Sequence, residues 1–145
     1  MDRARRIKAL STLQRIKEHE LDEQAAKMGV IRSQQSVLQR ELDTLAHRLE
    51  TETEITSPEA APFLAGFLQA VQQRRAVIDS EMQQLDEKAA QIEGRLFETY
   101  TEVRTNENVL DKSLSEKRRE EDLAEASALE EVARNRYLRQ MGSET

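Results

Sequence analysis

Apolar residues in the first third of the chain recur in alternating steps of four and three. Leu21, Ala25, Met28, Leu38, Leu42, Leu45 and Leu49 carry the pattern, and Arg32 and Gln35 fill the seam positions in its gap. This alternation is heptad spacing, which holds one narrow stripe against a partner helix. Upstream, Ile7, Leu10, Leu13 and Ile16 keep helical spacing but drift from that register. No proline occurs in residues 1–57, and Gly29 is the only strong helix-weakener there, at a cost of roughly 1 kcal/mol against alanine. The pattern predicts one helix over about residues 3–53.

A corner follows at residues 54–62. Ser57 before Pro58 has the residue types of an N-cap and a first helical position. Pro62 lies four residues later, where its ring would clash with the Pro58 carbonyl and could not donate to it. Pro58 therefore starts a single turn, and a long helix restarts near Pro62. That helix, over about residues 62–140, has the longest seam in the chain: Phe63, Phe67, Val71, Ile78, Met82, Leu85, Ala89, Ile92, Leu96, Val103, Leu110 and Leu114. Beyond Leu114 the seam passes through Lys117 and Glu121. Leu123, Ala126, Leu129, Ala133 and Tyr137 then resume helical spacing in a shifted register, a discontinuity in any supercoil.

These elements predict an all-α fold: a single domain forming a long antiparallel two-helix coiled-coil hairpin with a longer second helix. Folded back at residue 58, residue i faces roughly residue 116 − i, which leaves everything beyond about residue 116 without a partner inside the chain. Leu123, Leu129, Val132, Tyr137, Leu138 and Met141 would then be exposed. A lone helix of this kind is marginal in water unless its apolar face is covered, so the pattern points to a protein that works by binding.

Composition narrows the chemistry. Ala, Glu, Leu, Lys and Arg make up about half of the 145 residues, as in long helices. Aromatic residues are 3% and charged residues 34%, which suits a thin seam under a solvated surface. With no cysteine, disulfides and thiol catalysis are excluded. His19 and His47 lie on one helix about 42 Å apart at helical rise and cannot share a metal or a proton. Glu120-Glu121-Asp122 and Glu130-Glu131 are charge runs on a helix, whereas catalytic carboxylates need a cleft that shifts their pKa values. The four glycines are scattered, so no phosphate-cradling loop exists. Gly29 and Gly94 fall mid-helix, where either a close helix approach or simple tolerance explains them. The expectation is a protein without catalytic, cofactor or metal sites.

Charge is segregated. Arg3, Arg5, Arg6, Lys8, Arg15 and Lys17 stand near the N-terminus against Asp2, residues 116–131 are acidic overall, and Arg134, Arg136 and Arg139 restore positive charge. Solvated helix faces explain this, and so does steering of a protein partner to the end holding both termini. The basic start is too short, and the chain too acidic and too poor in aromatics, for nucleic-acid binding. No apolar stretch can span a bilayer and no signal-type apolar run follows the basic start, so a cytoplasmic protein is expected.

The layout resembles the FliJ-type (FliJ/YscO-like) stalk proteins of the bacterial flagellar type III export apparatus and their counterparts in virulence-associated secretion. The resemblance covers nearly the whole chain. It lies in the length, the basic N-terminus, the corner after about 50 residues, the longer second helix, Phe67-Leu-Gln-Ala-Val71, and the charged tract from Glu116 to Glu131. It implies a non-enzymatic central stalk that binds a hexameric export ATPase and links it to the cytoplasmic domain of the membrane export gate, with export chaperones as further partners. The ring contact it implies comprises Arg3, Arg5, Arg6 and Lys8 with Leu123, Leu129, Val132, Tyr137 and Leu138. The gate contact it implies comprises Phe67, Val71 and Ile78, for which seam packing is the equal alternative. Arg74 departs from the small residue of the family pattern. It places the protein at the cytoplasmic face of the inner membrane when assembled. A coiled-coil adaptor, an export chaperone or a self-assembling spacer would share the same periodicity.

Overall fold

A computed structural model describes residues 2–54 and 58–143. Helix α1 spans Arg3–Glu52, a short 3-10 turn covers Pro58–Ala60, and helix α2 spans Ala61–Ser143. The described residues contain no strand. Pro58 opens a single turn and the long helix restarts beside Pro62, as the proline spacing requires. Ser57, the expected N-cap, lies outside the described residues.

The end of α1 has a local cause. The last carbonyls of a helix have no amide donors within it. Here the Thr53 hydroxyl donates to the Leu49 and Glu50 carbonyls at 2.7 and 3.3 Å. The Thr53 amide also bonds the Leu49 carbonyl at 3.1 Å. The Thr53 side chain thus supplies a donor to the Glu50 carbonyl, which the helix itself leaves without one.

The helices pack in two units, residues 19–100 and residues 2–18 with 101–143. In the first, Arg48 lies over the Phe67 ring, Arg74 pairs with Glu41, and the Gln35 side-chain amide donates to Asp86 at 2.7 Å. As α1 ascends, α2 descends, so these segments run antiparallel. Ile31, Val71, Ile78 and Ala89 form the core, and Ile78 has no exposed surface. Full burial of such a side chain contributes about 1.5–3 kcal/mol.

The second unit is also antiparallel, from Lys17 with Glu102 at 2.7 Å to Arg3 with Glu120. Its core is Val103 together with three polar residues, Gln14, Asn106 and Ser113.

The seam differs from the apolar pattern in detail. Less-exposed positions on α1 include Arg3, Ile7, Leu10, Gln14, Lys17, Leu21, Gln24, Met28, Ile31, Gln35, Leu38, Leu42, Leu45 and Leu49, an unbroken series of fours and threes. Leu13 and Ile16 face solvent, and so do Ala25 and Arg32, whose expected places are taken by Gln24 and Ile31. On α2, Leu64 replaces Phe63 and Ser113 replaces Leu114, while Thr99 and Asn106 fill the heptad gaps around Val103. The fold-back rule also slips. It puts residue 102 opposite Gln14 and residue 113 opposite Arg3, whereas the structure puts Asn106 and Glu120 there. The cover supplied by α1 therefore extends about one helical turn or more further along α2 than the apolar pattern implies.

Neither mid-helix glycine marks a close approach. A Cβ built on Gly29 or Gly94 meets nothing within 4 Å, and neither residue has a positive φ. Both are tolerated helix positions.

Candidate docking surface

In α2, burial ends at Ser113. Every residue from 114 to 142 is exposed, and an ion pair between Arg3 and Glu120 ties this stretch to α1. A shallow recess lined by Asp2, Arg3, Lys117, Glu120 and Glu121 marks where α1 begins. The Arg3 guanidinium holds the Glu120 carboxyl below its ordinary value, mainly through their hydrogen bond. Further along, Leu123, Leu129, Val132, Tyr137, Leu138 and Met141 are each more than half exposed. The apolar end expected from the sequence is therefore present, but it starts beyond Glu120 instead of beyond residue 116.

The helix turns its apolar face as it leaves α1. Continued by fours and threes from Ser113, the seam that packs on α1 passes through Lys117, Glu120, Ala124, Ser127, Glu131 and Arg134, and meets large apolar residues again only at Leu138 and Met141. The apolar series Leu123, Ala126, Ala133 and Tyr137 sits one residue earlier in that count. One residue is about 100° of helix rotation. A longer α1 on the same line would not have covered this stripe.

Of the residues that the family resemblance assigns to a ring contact, Arg5, Arg6 and Lys8 are exposed, and Arg3 is engaged with Glu120. All four belong to the unit that contains Leu123, Leu129, Val132, Tyr137 and Leu138. The three assigned to a gate contact fare differently. Val71 is 4% exposed and Ile78 is fully buried, so seam packing is their observed role. Phe67 is half-buried, with Phe63 stacked on it at 6.5 Å between centroids and Arg48 above its ring at 5.2 Å. Phe63, outside the seam, is the more exposed aromatic at this end.

His19 is exposed and lies 3.1 Å from Glu23, one turn along α1. Among the described residues, no group of three His, Cys, Asp or Glu side chains could hold a metal ion, and no helix is long and apolar enough to cross a membrane. A trough of about 440 Å³ runs beside the seam, lined by Ser33, Val37, Leu38, Gln84, Leu85 and Lys88. No family model, curated protein or solved structure matches the chain.

Proposed function

We propose that the protein is a non-enzymatic stalk of a type III export apparatus, which docks on a hexameric export ATPase through the exposed end of α2 and the basic start of α1. The single observation that carries this reading is the run of exposed apolar residues from Leu123 to Met141, in which Leu123, Ala126, Ala133 and Tyr137 lie off the line that packs on α1. Apolar surface of this kind on a helix that emerges from a packed pair gains most by insertion into a partner. Arg5, Arg6 and Lys8 beside it would steer an acidic collar. The FliJ-type layout supplies the identity of the partner. In the unit of residues 19–100, the exposed Phe63 and the half-buried Phe67 are the aromatic surface available to an export gate.

Co-sedimentation with the export ATPase of the same organism tests the reading. The wild-type chain should co-sediment with the hexamer, and the Leu129→Asp/Tyr137→Asp variant should not, with its helical circular dichroism unchanged. Binding that survives both substitutions would remove the exposed end from the interface. Absence of wild-type binding would favour an adaptor or spacer of another system.

A further inference from the structure

The exposed end of α2 is complementary to itself. Its first half is acidic, with Glu120, Glu121, Asp122, Glu125, Glu130 and Glu131, and its second half carries Arg134, Arg136 and Arg139. A parallel mate would set like charges at the same level, and an antiparallel mate sets acid against base.

The heptad positions give the alignment. Asp122, Leu129 and Arg136 are seven residues apart and so share one flank of the helix, next to the stripe formed by Leu123, Ala126, Ala133 and Tyr137. A second copy centred antiparallel on Leu129 brings Leu129 to Leu129, and each Asp122 to the other copy's Arg136. The closed pair makes this ion pair twice by symmetry. All three residues are exposed, and neither Asp122 nor Arg136 has an ion pair within the chain among the described residues. The turned apolar stripe described above leaves this face clear of α1.

We propose that the free protein forms a twofold antiparallel dimer through residues 120–141 of α2, with Leu129 on the axis and Asp122 facing Arg136 of the second copy. This goes beyond the stalk reading, since it concerns the chain alone and needs no ATPase. A partner that binds the same stripe must open the dimer.

Analytical ultracentrifugation of the purified chain tests it over a concentration series. The wild type should sediment at twice the monomer mass at tens of micromolar. Asp122→Arg and Arg136→Asp should each shift the midpoint at least tenfold towards monomer. The double charge exchange Asp122→Arg/Arg136→Asp should return it to within about threefold of wild type. A monomeric wild type, or single variants that dimerise as well as wild type, would overturn the proposal. So would a double exchange no tighter than the singles.

Orientation is read separately by cysteine cross-linking, clean here because the chain has no cysteine. Leu129→Cys should form a disulfide-linked dimer on mild oxidation. Ala133→Cys should not, because antiparallel pairing centred on Leu129 sets the two copies of residue 133 about 12 Å apart along the axis, beyond disulfide reach. Efficient cross-linking through Ala133→Cys with none through Leu129→Cys would show a different alignment and contradict this one. Loss of ATPase binding with an intact dimer, or the reverse, separates this inference from the stalk reading.

Discussion

The Asn106 side-chain amide donates to Gln14 Oε1 at 2.8 Å and to the Leu10 carbonyl at 3.1 Å, across the pair of helices near the start of α1. Gln14 in turn donates to Glu18 at 3.1 Å. A buried polar group in a helical seam costs stability relative to an apolar one and fixes the register of the two helices. Asn106→Ala should therefore lower stability by about 1–3 kcal/mol, since it strands the Gln14 oxygen. Gln14→Leu/Asn106→Leu removes both partners and should recover the loss or exceed wild type. Urea unfolding followed by circular dichroism measures both. A double variant less stable than Asn106→Ala would contradict the pairing.

Arg74 grips both oxygens of Glu41, at 2.6 and 2.8 Å, and its hydrogen bonds hold that carboxyl below its ordinary value of 4.5. A carboxyl depressed by folding binds fewer protons folded than unfolded, so its support is present above the unfolded value and is lost as pH falls through the folded one. Both groups are exposed, so the effect is modest. Wild type should melt slightly above Glu41→Gln at pH 7, and the gap should close as pH drops below 4.5. A gap that widens in acid would reverse the sign of this coupling. Added salt should also narrow the gap at neutral pH.

Gly29 and Gly94 lie in continuous helix with open space where a Cβ would go. Gly29→Ala and Gly94→Ala should each raise stability by about 0.5–1 kcal/mol by restricting the unfolded chain. Thermal melts should shift upward for each, and additively for the two together. A decrease would mean that a packed neighbour needs the space.

The two helices, the proline corner and the exposed apolar end of α2 are all legible from residue types and spacing. The path of the seam is less so, and Gln14, Gln24 and Asn106 show why. A single pair of helices buries a thin stripe, so polar residues with apolar stems can occupy seam positions and still place their ends near water or each other. Gln24 shows the limit of this, for its side-chain oxygen is buried without a hydrogen-bond partner among the described residues. Apolar counting follows Leu13, Ile16 and Ala25 instead, all of which face solvent. The same cause moved the start of the exposed end, because the contact between Arg3 and Glu120 is ionic and leaves no apolar trace. Val71 and Ile78 illustrate the converse. Their place in the seam is clear from spacing, and burial leaves them little or nothing for an outside partner to touch.

The proposed docking of Leu123 to Met141 on a hexameric export ATPase would leave a signature in ATP turnover. Steady-state ATP hydrolysis by that ATPase, titrated with the wild-type chain and with Leu129→Asp/Tyr137→Asp, measures it. The wild type should stimulate hydrolysis severalfold, saturating near one chain per hexamer, and the variant should not. Equal stimulation by both proteins, or none by the wild type, would contradict it.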